Sequence, residues 1–592
     1  MKKSLHLSSI IVLAVLCVYA CADMVERGGM GQLWGYRPLL AFLSGWSALA
    51  LAVKWFRPKR WKWLGWSTLS GVLLGVGFPD LLPLPWLMLI GFVPLLLVEA
   101  AISESKGKPS RWAVFKYTYH TFVLWNIITT YWVANTAFAA GVFAIWVNAL
   151  LMAIPVLLFH TTRWIMPGLK YPALVCFWLS FEYIHLNWEL TWPWLTLGNS
   201  FAEYPSLVQW YSVTGAFGGS LWILVANILA LQIWKAYTGG AGYRKPLLQL
   251  TALLALPMAA SLIQYATFTP RGEAREVAVV QPNFEPHYIK FNLPEREQVA
   301  RFIELSEEVV REETDYLVYP ETSFGLINDR NINQYPAIRR LRAAFDTYPG
   351  LKLVTGVDAY HIFEEGEAHS PNVRTQVRRG GQDTLFYEVL NAALQLQISS
   401  EEVALYRKSK LVPGPEIFPF KDVFFFMEPL VERLEGTTAG IGTQPERSVL
   451  SSSSGRVAPA ICYESIFGEY VTGYIRKGAQ AIFIMTNDGW WDNTAGHRQH
   501  LYFASLRAIE TRRSIARSAN SGISAFINQR GDIQQPTRYD EAAAIRQDIL
   551  FSGRITFYVR WGDLIARIAL FGAALMLLNT LVRGLLPRQE GR

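Results

Sequence analysis

The stretch Ala460-Ile461-Cys462-Tyr463-Glu464 ends a short apolar run, residues 457–462, that reads as a strand carrying a thiol at its tip. Two other predicted strands end on chemically capable side chains. One closes on Tyr319-Pro320-Glu321-Thr322, and the other runs into Tyr406-Arg407-Lys408-Ser409-Lys410-Leu411-Val412-Pro413. Around them strands and helices alternate. Strands are expected near 277–280, 316–319, 352–356, 384–397, 403–408, 457–462, 480–486 and 523–528. Helices are expected at 295–313, where Val299, Phe302, Ile303, Val309 and Val310 share a stripe, and at 336–346 and 496–512. This is an α/β layered pattern, and the loops beyond strand ends are where such folds build active sites. Residues 361–382 and 428–456 are polar, rich in Gly and Ser, and read as loops.

Outward from this region the composition changes. Charged residues make up 17% of the 592, against roughly 25% in soluble domains, and the apolar residues crowd into 1–270 and 562–586. The 22 tryptophans suit a protein with aromatic belts at a membrane surface. A bilayer span needs about 20 apolar residues. Candidates run 4–22, 37–55, 65–79, 84–102, 117–136, 140–161, 171–187, 217–236, 247–266 and 563–583. The third is short and ends at Gly77-Phe78-Pro79-Asp80, which suggests a tilted or broken helix. The expected organisation is a polytopic membrane domain over 1–270, a soluble catalytic domain over 271–561, and a C-terminal transmembrane helix within 562–586.

The formal charge of +8 sits in short runs between apolar segments. Lys2 and Lys3 precede the first span. Lys54, Arg57, Lys59, Arg60 and Lys62 follow the second, and Lys106, Lys108, Arg111 and Lys116 the fourth. Arg163 and Lys170 follow the sixth, Lys235, Arg244 and Lys245 the eighth, and Arg583, Arg588 and Arg592 the tenth. Every second loop is basic, which by the positive-inside rule puts both termini in the cytoplasm and residues 267–562 on the far side. A basic chain can also bind nucleic acid, but no basic recognition helix or aromatic RNA motif is present. Lys2-Lys3, an apolar run and Ala20-Cys21-Ala22 also read as a secretory signal peptide, whose removal would leave the remaining topology unchanged.

Cys17, Cys21 and Cys176 lie in or beside apolar segments, so Cys462 is a lone thiol and a disulfide framework is not expected. At the three strand ends the sequence resembles the nitrilase superfamily, whose catalytic set is Glu, Lys and Cys. Glu321, Lys408 and Cys462 match in order, in the local contexts P-E-T, Y-x-K-x-x-L-V-P and I-C-Y-E. The resemblance continues through Thr486-Asn487-Asp488-Gly489-Trp490-Trp491, His500, Arg507 and Arg517-Ser518-Ala519-Asn520-Ser521-Gly522. With Gly77-Phe78-Pro79, Trp192-Pro193-Trp194-Leu195 and Gly198-Asn199 in the membrane part, it is similar to the apolipoprotein N-acyltransferases within that superfamily. The family reads L-V-P-F-G-E after the lysine, whereas this chain has Leu411-Val412-Pro413-Gly414-Pro415-Glu416. It also has two spans beyond the usual eight, both at the N-terminus.

The resemblance implies an α-β-β-α sandwich for the catalytic domain. It also implies a two-step acyl transfer without cofactor or metal. A thiol attacks as thiolate, with a free pKa near about 8.5. Glu321 can take the thiol proton and return one to the leaving group. Lys408 can stabilise the thiolate and the oxyanion. Glu416 and Glu464 are candidates to orient Lys408 or relay a proton, and Tyr463, Asn391 and Asn487 are supporting candidates. The implied donor is a phospholipid, phosphatidylethanolamine, and the acceptor is the α-amino group of a diacylglyceryl-cysteine lipoprotein. The implied place is the bacterial inner membrane, with the catalytic domain on the periplasmic side. Two other readings use the same residues: a membrane-tethered nitrilase-type amidase with water as acceptor, and a non-catalytic membrane scaffold. His497 and His500 share a helix face, but no third ligand for a metal is apparent. The apolar run Phe424-Phe425-Phe426-Met427 reads either as a lid dipping into the membrane surface or as a buried strand.

Overall fold

The computed structural model describes residues 2–105, 110–377, 384–427, 429 and 439–585. Lys106, Lys108, Arg588 and Arg592 of the basic loops lie outside them, as does much of the 428–456 stretch. Each of the ten apolar segments is helical. The helices are α1 (Lys2–Gly29), α2 (Arg37–Phe56), α3 (Leu64–Val76), α4 (Val93–Ser103), α5 (Arg111–Thr130), α6 (Phe138–Ile165), α7 (Lys170–Asn187), α8 (Ala216–Thr238), α9 (Arg244–Thr267) and, after the catalytic domain, Leu564–Leu585.

Among the described residues, seven helical segments are long and apolar enough to cross a bilayer, fewer than the ten spans expected; the fourth qualifies only as Pro85–Ser103, the 3-10 turn Pro85–Leu89 together with α4. The three that fall short are α3, α5 and α7. The 13 residues of α3 reach only about 20 Å, and the chain then turns through Asp80, at φ 91°. α5 and α7 carry polar side chains that face the bundle interior rather than lipid. Asn148 on α6 donates to Asn126 on α5 (2.8 Å) and meets His185 on α7 (2.9 Å). Glu182 accepts from the Trp178 indole (2.9 Å) and from the Leu197 amide (2.9 Å). Inward-facing polar groups of this kind lower mean hydropathy without exposing a polar atom to hydrocarbon.

The central region folds as two stacked sheets. The first has eight strands: β1 (Glu273–Gln281), β2 (Tyr316–Val318), β3 (Phe324–Asn328), β4 (Lys352–Ile362), β5 (Arg374–Val377), β6 (Thr384–Gln397), β7 (Val403–Arg407) and β14 (Ala543–Phe551). The second has six: β8 (Leu450–Ser452), β9 (Gly455–Ile461), β10 (Ala481–Thr486), β11 (Ile515–Ala519), β12 (Ala525–Ile527) and β13 (Ile533–Gln534). β5 and β8 fall inside stretches expected to be loops.

Both faces of the first sheet are buried, which is why its central strands read as unbroken apolar runs. Val277, Val279, Tyr316 and Val318 face the second sheet, where Tyr316 meets Phe483 edge-on at 5.2 Å. Ala278, Val280 and Leu317 face outward onto Val299, Phe302 and Leu305 of α10 (Glu295–Val309) and Ile338 and Leu341 of α11 (Pro336–Ala344). α10 ends at Val309, four residues earlier than expected, because Val310 turns to an extended conformation.

The outer face of the second sheet is covered by α12 (Gly468–Arg476) and α13 (Ala495–Thr511), completing an α-β-β-α sandwich. α13 is also the seat of the domain on the membrane bundle. Gln499 donates to the Pro79 carbonyl (3.1 Å), Arg498 pairs with Asp80, and Glu510 accepts from the Ala216 amide (3.2 Å).

Candidate active site

Glu321, Lys408 and Cys462 meet at the tips of β2, β7 and β9. The approach of Glu321 to β4 needs a glycine. Gly356 donates to the Pro320 carbonyl (3.0 Å), and a Cβ there would lie 2.5 Å from the Glu321 Cα. Thr322 then takes φ 50°. β9 is parallel to β10 and ends at Ile461. Cys462 follows at φ 44°, a left-handed conformation in a non-glycine residue. Strain of this kind persists where the surroundings over-determine it. Here the Cys462 carbonyl accepts from Ser465 (2.7 Å) and faces His500 Nε2 at 3.2 Å.

Lys408 is 1% exposed and lies between two carboxylates. Its ammonium donates to Glu321 Oε1 (3.0 Å) and Glu416 Oε1 (2.7 Å). Asn391 donates to the same two oxygens at 2.8 and 3.2 Å, and its own Oδ1 is buried with no partner among the described residues. Burial acts to lower the Lys408 pKa, but Glu321, Glu416 and Cys462 outweigh it, and the net direction is well above the ordinary lysine value. For Cys462, burial pushes the thiol up, Glu321 adds to this, and Lys408 opposes it; the net direction is up. These surroundings favour the thiol over the thiolate, so that a base is called for in any attack by the sulfur.

The departure at Gly414-Pro415 does not displace Glu416. Gly414 adopts φ 99° and donates to the Ile417 carbonyl (2.8 Å). Glu416 Oε2 accepts from the Val412 amide (2.8 Å), which holds Oε1 on Lys408.

Glu464, Tyr463 and Asn487 bond to groups other than the Lys408 ammonium. Glu464 touches the backbone after Lys408 rather than its ammonium. Its Oε1 accepts from the Ser409 amide (2.8 Å), the Tyr406 hydroxyl (2.7 Å) and the Tyr470 hydroxyl (2.8 Å), and its Oε2 from the Ile461 amide (3.0 Å). It thus ties the lysine loop to the cysteine turn. Burial raises its pKa against these donors. Tyr463 points to the bundle, donating to the Thr191 carbonyl (2.8 Å) and stacking on Trp194. Asn487 accepts from Asn520 (3.1 Å), on the loop that follows β11. β7 ends at Arg407, so Lys408 and Lys410 both lie in the following loop. The Lys410 ammonium reaches the Leu186 carbonyl of α7 (2.7 Å) over the Phe467 ring, and burial lowers its pKa to about 8.

Two charged groups near Glu321 escaped the sequence reading. Lys290 is buried and donates to Thr322 Oγ1 (2.7 Å). Burial pulls its pKa down to about 8, although Asp358 and Glu321 act to raise it. Asp358, opposite Asn391 in the β4–β6 register, is pushed up to about 6, chiefly by burial. Beneath the cysteine turn, Asp488 accepts from Arg517 and faces His500 Nδ1 at 2.9 Å, while His500 Nε2 meets Ser465 at 2.8 Å. His500 is thus committed to the turn. Phe424, Phe425 and Phe426 are exposed, on short helical turns spanning Lys421–Phe424 and Phe425–Met427, and are not a buried strand.

Residues 276–547 match the carbon-nitrogen hydrolase family model, which makes the sandwich a nitrilase-type domain. Residues 70–229 match the apolipoprotein N-acyltransferase N-terminal domain. An apolipoprotein N-acyltransferase of Chlorobaculum tepidum is 30% identical over 547 residues, covering 87% of this chain and 96% of that one. One from Geobacter metallireducens is 26% identical over 522 residues, covering 86% and 94%. Among solved structures, an amidase from Nesterenkonia sp. aligns at 17% identity with a TM-score of 0.34, covering 51% of this chain and 98% of that chain. The chain belongs to the apolipoprotein N-acyltransferase family.

Proposed function

We propose that Cys462 carries an acyl chain as a thioester between a phospholipid, phosphatidylethanolamine, and the N-terminal amine of a diacylglyceryl-cysteine lipoprotein. As a member of its family the chain is a multi-pass bacterial membrane acyltransferase that N-acylates lipoproteins. The observation that carries the route is the buried Glu321–Lys408–Glu416 cluster beside a thiol held protonated by its surroundings. Glu321 takes the thiol proton and the thiolate adds to the ester carbonyl carbon. The tetrahedral oxyanion is stabilised by Lys408. Collapse breaks the C–O bond, and Glu321 returns the proton to the departing lysophospholipid. In the second half the lipoprotein amine adds to the thioester. Glu321 takes a proton from nitrogen, the C–S bond breaks, and the proton goes back to sulfur. The amide is the product and the free thiol is restored. Both substrates are anchored in one leaflet, so a site tethered at its surface gains proximity. The exposed Phe424–Phe426 turns suit a lid that dips into that surface.

The direct test is intact mass after incubation with phospholipid. The expected result is one added acyl group, absent in Cys462→Ser. A hydrolase would instead release free fatty acid steadily without an amine acceptor, and a scaffold would gain no mass.

The alternation of basic loops supports a catalytic domain outside the inner membrane. A cysteine replacing Ala368, on an exposed loop, is expected to react with an impermeant maleimide added to intact spheroplasts. One replacing Lys108, outside the described residues, is expected to react only after lysis. The reverse pattern would sink the proposed route, because the acceptor would be on the wrong side.

Lys410→Ala removes one hydrogen bond to the bundle and nothing from the carboxylate cluster. Such a bond is worth about 0.5–1.5 kcal/mol, so the acyl-enzyme rate is expected to fall by no more than about tenfold. A dead Lys410→Ala with an active Lys408→Ala would reverse the assignment of the two lysines.

A further inference from the structure

The two helices that precede the matched N-terminal domain form a hairpin whose connecting loop reaches the catalytic domain. The Gly35 amide donates to Asp492 (2.7 Å), Arg498 donates to the Tyr36 hydroxyl (2.9 Å), and Asn135 bridges the Gly35 and Trp491 carbonyls at 3.1 Å each. Clamped there, the loop leaves Gln32 and Trp34 on one wall of a 430 Å³ cleft. Asn135 and Phe138, and His287 and Tyr288 of the catalytic domain, also line it.

Two chains of contact lead from this cleft toward the active site. Two residues beyond Tyr288, Lys290 holds Thr322, the neighbour of Glu321. Asn135 and Thr136 bond to the turn Asp488–Trp491, whose Asp488 supports His500 beneath Cys462. None of the lining residues is a lysine, arginine or carboxylate. Their polar groups are amides, hydroxyls and an imidazole, set between aromatic faces. The Gln32 side-chain amide and the Tyr288 hydroxyl make no hydrogen bond among the described residues, although the Gln32 backbone amide donates to the Arg27 carbonyl (2.9 Å). A phosphate would find no cation here, and an acyl chain would leave these polar groups unpaired at a cost. An uncharged polypeptide backbone offers both donors and acceptors and matches the lining.

We infer that this cleft is the subsite for the polypeptide that follows the lipidated cysteine of the acceptor, and that the N-terminal hairpin builds it. The inference rests on the acyl-transfer route above.

The test uses full-length enzyme preloaded with phospholipid to form the thioester, then offered two acceptors. One is a diacylglyceryl-cysteine amide, and the other carries ten uncharged residues after the cysteine. For Gln32→Ala/Trp34→Ala the KM of the long acceptor is expected to rise about tenfold, with the short acceptor and both kcat values unchanged. Equal shifts for both acceptors, or none, would overturn it. Trp34 also packs on Phe138 (6.4 Å), so a second measurement avoids its removal. A benzophenone amino acid placed at Gln32 is expected to crosslink to the long acceptor's polypeptide. Crosslinks to phospholipid alone, or none, would overturn the inference. Absence of any thioester in the unsubstituted enzyme would count against the parent route instead.

Discussion

Cys462→Ala is expected to form no acyl-enzyme, and Glu321→Gln to form it about 10²–10⁴ times more slowly than the unsubstituted enzyme. The first follows from placement. The other three cysteines lie on membrane helices, Cys17 and Cys21 on α1 and Cys176 on α7, so no described thiol can replace Cys462. The second follows from the state of the sulfur. Burial and the Glu321 charge both favour the thiol over the thiolate, so attack depends on a group that removes the proton as the C–S bond forms. A glutamine keeps the size of Glu321 and can still accept from Lys408 and Asn391 through its oxygen. It cannot take a proton. The two variants should therefore unfold at temperatures close to that of the parent while losing activity. The measurement is the rate of mass gain with phospholipid, alongside thermal unfolding. A Glu321→Gln enzyme that acylates at the parent rate would remove Glu321 from the route. The base would then have to be sought elsewhere, with Asp358 and Lys290 the next groups at hand.

Glu321, Lys408 and Cys462 stood out as a set because their order and local contexts, at three predicted strand ends, resemble the nitrilase superfamily. Lys290 and Asp358 did not, since what brings them near Glu321 is long-range pairing. Asp358 faces Asn391 only through the β4–β6 register, and Lys290 stands out locally only as a charge between Ile289 and Phe291. Missed strands have similar causes. β11 carries Arg517, a charge that is tolerated in a fully buried strand because Asp488 receives it. β14 pairs with β1 at the edge of its sheet and mixes charge with apolar residues throughout. In the membrane part hydropathy located the long helices, but it could not show that polar side chains of α5 and α7 turn inward to meet at Asn148 of α6. Glu416 and Asn391 lie against Lys408 and Glu321, but Glu464 and Tyr463 do not. Sequence distance put Glu464 and Tyr463 beside the nucleophile, but their side chains leave it, one binding the lysine loop and the other the bundle.

Lys408→Ala is expected to lose both stability and rate, and a second substitution separates the two. In the parent, one buried ammonium balances Glu321 and Glu416 at 3.0 and 2.7 Å. Removing it leaves two buried carboxylates facing each other with only Asn391 between them. Breaking a buried ion pair by removing one partner costs about 3–5 kcal/mol, so the unfolding temperature should drop measurably. The oxyanion also loses its cation, a term of roughly 3–4 kcal/mol, or about 10²–10³ in rate. Adding Glu416→Gln to Lys408→Ala removes one of the opposed charges. Glutamine at 416 can keep its oxygen on the Val412 amide, so the loop should remain in place. The double variant is therefore expected to regain most of the lost unfolding temperature while its acyl-enzyme rate stays about 10²–10³ below the parent. Recovery of the rate together with the stability would mean that Lys408 serves only to balance charge. The oxyanion would then have to be held by backbone amides after Cys462.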